Sequence, residues 1–246
     1  MPVTFFIKFE QDKRASWFSH KSETAKPYYY SVYLADADVT TELTPTERAA
    51  LFQFTFPQND SSFIVIDAID KGSYIKIIPE ENKIIGYSTR YRRGSLINFK
   101  NYFVIYLSKK ATMNYTWRGG NVLKKDSLEL KANHTGAIVG FKTVKGEKVQ
   151  LRVASSFISF EQAELNLKRE LANDDFETVK KKGKEIWNKT LSRVQAEGGT
   201  DAQLRTFYSC LYRTLFFPNK LYEIDAAGKI MHYSPYNGKI LPGYMF

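Results

Sequence analysis

Cysteine is nearly absent: Cys210 stands alone in 246 residues, which excludes an internal disulfide and a cysteine-built zinc site. Its place beside the apolar face of a helical stretch reads as that of a buried spectator. Histidine is almost as scarce. His20, His134 and His232 are far apart, and none belongs to a His-Glu-x-x-His or similar ligand pattern. There is no Gly-x-Ser-x-Gly elbow, no phosphate-binding glycine loop and no dinucleotide fingerprint, so acyl, phosphoryl and hydride transfer lose their usual anchors. No apolar run reaches the roughly eighteen residues a membrane-spanning helix needs. Residues 1–7 lack the basic flank of a signal peptide, and the start of the chain reads as internal.

Aromatic residues, at 15% with Tyr and Phe dominant, and a hydrophobic content of 43% argue for a packed, β-rich globular chain. The formal net charge is +10. Clustered cations release counterions from phosphate, but the two densest runs, Arg90-Tyr-Arg-Arg93 and Lys180-Lys-Lys-Gly-Lys184, fall in different elements and no recognition motif accompanies them. They read as solvated faces, and no nucleic-acid partner is expected.

From residue 3 to residue 155 the hydropathy alternates with a period of two. Strands are expected at 3–9, 28–34, 39–43, 51–56, 63–68, 74–78, 83–88, 99–107, 112–118, 127–131, 137–143 and 149–155. Glycine punctuates them at Lys71-Gly72, Gly119-Gly120-Asn121 and Lys145-Gly146-Glu147, where hairpin turns call for positive φ. Short strands at this spacing, with no helical period between them, predict an antiparallel β-sandwich. In 99–107 both faces are apolar, with Phe103, Ile105 and Leu107 opposite Tyr102, Val104 and Tyr106, so a further layer should cover that sheet.

The period changes to 3.6 at Ser159, which with Gln162 forms a capping box ahead of a helix burying Phe160, Ala163, Leu167 and Leu171. Asp174, with Glu177 three residues on, should cap the next helix, whose buried side is marked by Phe176, Val179, Gly183, Ile186, Trp187, Leu191 and Val194. Thr200 and Gln203 box the start of a third helix, which Pro218 ends near Phe217. Leu204, Phe207, Tyr208, Leu211, Tyr212, Leu215 and Phe216 share one face of it, a stripe that must be covered. The order is therefore a β domain at 1–158, a helical linker at 159–199, and at 200–246 the beginning of a further domain.

Two groups of residues suggest binding. Ser19, His20 and Glu23 converge just before the aromatic strand at 28–34, either as polar groups at a sandwich rim or as an ordinary polar loop. The tail from Tyr222 to Phe246 mixes tyrosines with Glu223, Asp225 and Asn237. Aromatic faces beside carboxylate and amide acceptors suit a sugar, and equally suit a surface between domains. His134, beside Asn133 in a turn, reads as structural.

Several stretches together resemble glycoside hydrolase family 92, the calcium-dependent exo-acting α-mannosidases. They are Phe18-Ser-His-Lys-Ser-Glu23 with Pro27-Tyr-Tyr, Leu43-Thr-Pro-Thr-Glu-Arg48 with Phe54-Thr-Phe-Pro57, and Arg152-Val-Ala-Ser-Ser-Phe-Ile-Ser159 with Glu161-Gln-Ala. Further on come Trp187-Asn188, Leu191-Ser-Arg-Val, Phe207-Tyr-Ser-Cys-Leu-Tyr-Arg213, Phe217-Pro, Tyr222-Glu-Ile-Asp225, His232-Tyr-Ser-Pro-Tyr-Asn-Gly238 and Leu241-Pro-Gly-Tyr-Met-Phe246. One departure is Asn219-Lys220, where members of the family often carry Arg.

The resemblance implies an N-terminal supersandwich joined by linker helices to an α/α toroid, with the sugar bound where the two meet. It implies inverting chemistry, in which one carboxylic acid protonates the leaving oxygen while a carboxylate activates water. It also implies that a glycine-rich segment precedes residue 1 and that acid, base and calcium ligands follow Phe246. No residue of this chain is then catalytic or a metal ligand, and no cofactor is expected on it. Ser19, His20, Glu23, Tyr222, Glu223 and Tyr236 are the candidates for substrate binding. The implied partners are mannose-containing glycans, N-glycans or mannans, and either the missing C-terminal half or a second copy of the chain. The implied location of the parent protein is secreted or periplasmic. The competing reading is a free-standing carbohydrate-binding or assembly module with no chemistry of its own.

Overall fold

The computed structural model describes residues 1–91, 94–95 and 98–246; Arg92 and Arg93 of the first basic run lie outside the described residues. Two antiparallel sheets carry the fold. In the larger, nine strands lie side by side in the order Glu129–Ala132, Ser73–Ile78, Lys83–Ser88, Asn101–Leu107, Glu147–Ser156, Ala49–Phe56, Val39–Pro45, Tyr29–Leu34 and Thr24–Lys26. In the smaller, five run in the order Pro2–Thr4, Asn59–Asp67, Thr135–Thr143, Met113–Arg118 and Val122–Lys125. Ile64, Val139 and Phe141 of the smaller sheet meet Phe54, Phe56, Ile75, Ile84 and Ile105 of the larger in one buried cluster. This is the sandwich that the alternating pattern predicts.

The strand Asn101–Leu107 shows why both of its faces are apolar. Ile105 and Leu107 enter the cluster between the sheets, while Val104 joins a second cluster with Leu51, Ala154, Ala163, Leu167, Leu171, Phe176 and Val179. That second cluster is the outer face of the large sheet covered by helix α1, Phe160–Glu170, and helix α2, Phe176–Leu191. A third cluster, Val3, Phe63, Val65, Trp117 and Ile138, lies on the outer face of the small sheet.

The last sandwich strand ends at Ser156 and α1 begins at Phe160, with the Ser159 hydroxyl accepting from the Gln162 N–H at 3.2 Å. Helix α3, Asp201–Thr214, opens on the expected capping box. Other details differ. The strand expected at 3–9 stops at Thr4, because Phe5 has φ 64°, a left-handed value that an extended strand cannot hold. Helix α2 is capped by Asp175, whose carboxylate accepts from the Thr178 N–H at 2.7 Å; Asp174 instead faces Lys182 at 2.5 Å. Helix α3 gives way at Leu215 rather than near Phe217, two residues earlier than the residue that Pro218 itself restricts.

The buried face of α2 is shorter than its periodicity suggests: Phe176 and Val179 are buried, but Ile186 is 64% exposed and Val194 is exposed as well. Trp187 meets Tyr212 of α3 at 4.9 Å. That contact, with the Tyr208 hydroxyl donating to the Val194 carbonyl at 3.3 Å, covers one flank of the α3 stripe. The other flank is open. No α3 residue is buried, Phe207, Leu215 and Phe216 are exposed, and Cys210 is exposed as well, because it lies on the side of α3 away from Tyr208 and Tyr212. A small antiparallel sheet of Tyr222–Ile224, Ile230–Ser234 and Lys239–Pro242, which the sequence pattern does not resolve, completes the chain.

His134 is a satisfied structural histidine. Its Nε2 lies 2.8 Å from the Asp67 carboxylate, which also accepts from Arg14 at 2.6 Å and from the Ile69 N–H at 2.8 Å. Burial alone would raise the Asp67 carboxyl, but the hydrogen bonds from His134, Ile69 and Arg14 hold it below its ordinary value. A carboxyl depressed in the folded state contributes stability above its unfolded pKa of about 3.9 and loses that contribution as pH falls through the folded value. Asp67→Asn should therefore lower stability at pH 7 and flatten its decline below about pH 4. Urea unfolding across a pH series checks this, and curves for variant and parent that stay parallel throughout would refute it.

Candidate functional site

The residues at 19–23 lie just before the edge strand Thr24–Lys26, which pairs with Tyr29–Leu34. Glu23 organises the loop. One carboxylate oxygen accepts from the Tyr30 hydroxyl at 2.6 Å, and the other lies 2.7 Å from His20 Nδ1. Those two hydrogen bonds, Tyr30 first, hold the Glu23 carboxyl below its usual range. The same pairing pushes the Tyr30 hydroxyl up to about 12. An ionised Glu23 can only accept, so Nδ1 carries the proton toward it, and in the neutral imidazole this leaves Nε2 as an acceptor. The His20 side chain is 85% exposed, and the Phe18 ring stands edge-on to it at 5.2 Å. The Ser19 carbonyl accepts from the N–H and the hydroxyl of Ser22, and its own hydroxyl from the Lys21 N–H. The loop thus presents an oriented imidazole nitrogen to solvent.

The second group sits on the small terminal sheet. Tyr222 packs edge-on against Tyr244 at 4.9 Å and against Phe246 at 5.6 Å, and the latter two rings are parallel within 6°. Tyr236 is exposed, at 83%. Glu223 points the other way. It is buried, and its two oxygens accept from the Phe157 N–H and from Asn166 Nδ2, each at 2.7 Å. Lys220 pairs with Glu47 at 3.0 Å.

Among the described residues, no hydrogen bond, ion pair or ring contact joins the 19–23 loop to the tail. What does hold the tail is a set of side chains that sequence reasoning passed over. Arg48 donates to the carbonyls of Lys220 and Tyr222 at 2.6 and 2.8 Å. Gln162 donates to the Ile224 carbonyl at 2.8 Å, and Arg169 to the carbonyls of Ile224 and Asp225. Arg48 stands in one of the quoted motifs, and Gln162 in another, but nothing local in either distinguishes a donor to a distant backbone from an ordinary surface side chain.

Residues 1–156 match the model of the glycosyl hydrolase family 92 N-terminal domain. The chain belongs to family 92. Residues 162–245 match the family 92 catalytic domain. Among solved structures, a family 92 inverting mannosidase of Bacteroides thetaiotaomicron superposes with a TM-score of 0.93 and is 43% identical, over 100% of this chain and 33% of that one. A family 92 α-mannosidase from the same organism gives 0.83 at 26% identity, over 98% of this chain and 34% of the other. An uncharacterized secreted glycosidase of Arthroderma benhamiae is 26% identical, with 86% of this chain and 30% of that protein covered. This family 92 chain therefore spans about a third of the length of these relatives. No helix among its described residues is long and apolar enough to cross a membrane.

Proposed function

We propose that the chain is the N-terminal part of a secreted or periplasmic α-mannosidase that releases mannose from N-glycans or mannans with inversion. The observation that carries this reading is the 43% identity, over the whole chain, with an inverting mannosidase. On this reading the sandwich and the terminal sheet form one wall of the sugar site, with Ser19, His20, Glu23, Tyr222 and Tyr236 offered to substrate. The oriented imidazole accepts from a sugar hydroxyl, and the tyrosine rings pack on the apolar face of the sugar. The open flank of α3 would pack on later helices of the toroid.

Inversion needs a general acid and a general base about 6.5 to 9.5 Å apart, with water between them. In the 19–23 loop and the tail, Glu23, Glu223 and Asp225 each already accept hydrogen bonds from protein donors. Calcium would need several convergent oxygen ligands, and no group of three or more His, Cys, Asp or Glu side chains converges among the described residues. These residues do not fit the ion, and on this reading acid, base and calcium ligands all lie beyond Phe246.

A chimera tests the proposal: residues 1–246 replace the matching third of the 43% identical mannosidase. The chimera should release mannose in the inverted configuration, within about tenfold of the parent rate. The 246-residue chain alone should release none, and calcium should leave its melting temperature unchanged. A folded chimera that retains configuration or is inert would overturn the assignment, as would mannose release by the chain alone.

A further inference from the structure

We infer that Arg48 and Glu223 are positioning residues that fix the ring of Tyr222, and with it the Tyr222–Tyr244–Phe246 cluster. The inference rests on the sugar reading above only for what the cluster would bind. It starts from the alternation of a strand, in which neighbouring side chains point to opposite faces. In Tyr222–Ile224 the middle residue, Glu223, is buried, while Ile224 is exposed. With Glu223 turned in, Tyr222 must turn out. A slip of one residue would exchange the two.

Glu223 is held where such a slip is costly. Its carboxylate meets two donors, the Phe157 N–H and Asn166 Nδ2, at 2.7 Å each. Asn166 is itself buried and is fixed by donating to the Ser155 carbonyl and accepting from Gln162 Nε2, both at 3.0 Å. An apolar side chain could fill the same space without the cost of desolvating a charge. A carboxylate adds direction, because charge-assisted hydrogen bonds tolerate little displacement.

Arg48 secures the residues on the other side. Its guanidinium reaches the carbonyls of Lys220 and Tyr222 and lies over the Phe157 ring, 5.4 Å from its centroid. Its backbone is held in turn by α1, where Glu170 accepts from the N–H groups of Arg48 and Ala49 at 2.8 and 3.1 Å. Tyr222 thus lies between an arginine that holds its carbonyl and a glutamate locked into the seam of the sandwich and α1. Its ring is free to present an edge to Tyr244 and Phe246.

The test uses the 246-residue chain and its variants Arg48→Ala, Arg48→Lys and Glu223→Gln. Glutamine offers one acceptor where two donors point, so one donor loses its partner. Hydrogen exchange at residues 221–225 should accelerate at least tenfold in Arg48→Ala and Glu223→Gln, the Tyr222 and Tyr244 ring-proton shifts should move, and Arg48→Lys should recover part of both. Exchange in Asn101–Leu107 and the melting temperature should stay at parental values. Unchanged exchange and ring shifts would overturn the inference, and so would acceleration spread over the whole sandwich with a fallen melting temperature. Titration with methyl α-mannoside forms a separate arm. If the parent chain binds it, the same two variants should bind at least fivefold more weakly, and equal affinity would overturn the positioning role. If the parent chain does not bind it, the sugar reading of this wall falls, while exchange and ring shifts still decide whether Arg48 and Glu223 hold Tyr222.

Discussion

Phe56→Ala should destabilise the chain by about 3 to 5 kcal/mol, a large share of the roughly 5 to 15 kcal/mol by which folded chains are stable. Phe56 is 1% exposed in the cluster between the two sheets, with the rings of Phe54 and Phe141 at 6.3 and 6.4 Å. Truncation removes the transfer free energy of the ring and leaves a cavity between sheets that cannot close, since each is held by its own ladder of hydrogen bonds. Phe207→Ala on α3 is the comparison. Phe207 is 40% exposed, so its loss should change stability by no more than about 0.5 kcal/mol. Denaturant unfolding of both variants measures the difference. Equal losses would mean that α3 belongs to the same cooperative core as the sandwich.

Gly136→Ala should cost about 3 kcal/mol, although it adds a single methyl group. Gly136 lies in the Thr135–Thr143 strand, opposite Trp117 on one neighbour and Asp67 on the other. A Cβ there would collide with the Ile66 carbonyl oxygen and with the Trp117 indole. A side chain can sometimes turn aside, but a carbonyl fixed in a ladder cannot, and Trp117 is itself packed against Phe9 and His134. Gly119→Ala is the control. There the nearest atom is His134 Cβ at 3.6 Å, an ordinary contact, so the change should stay within about 0.5 kcal/mol. If the two variants melt together, the close approach at Gly136 is not what excludes a side chain.

The sandwich was legible in the sequence because each strand carries its own instruction. Alternation in the stretch around Ile105 shows two faces, and both being apolar shows two coverings, which the structure supplies as a second sheet and a pair of helices. Helix starts were legible for the same reason, since a cap is a local hydrogen bond between residues three apart. The exception is instructive: Asp174 and Asp175 are adjacent, both can cap, and only the path of the chain entering α2 selects Asp175. The α3 stripe was read correctly as apolar, but periodicity names a face and says nothing of what lies against it. Cys210 shows the same limit: it stands beside the apolar stripe in the sequence, yet it is exposed in the fold.

At the candidate site the local part was again readable. Ser19, His20 and Glu23 are close in sequence, and His20 and Glu23 of the dyad are three positions apart. Tyr30 was read as part of an aromatic strand, and only the pairing of the edge strand brings its hydroxyl to Glu23. Glu223 shows the limit most clearly. A glutamate in a tyrosine-rich tail looks like a ligand-facing acceptor, and its environment is set by Phe157 and Asn166, more than fifty residues away. The sequence by itself determined the sandwich, the starts of α1 and α3 and the family, because alternation, capping and motif order are short-range properties written in consecutive residues. The tertiary structure alone decided which side chains hold the tail, which flank of α3 stays open and which way Glu223 faces, because hydrogen bonds to distant backbone carbonyls depend on where the chain returns and leave no periodic or compositional trace.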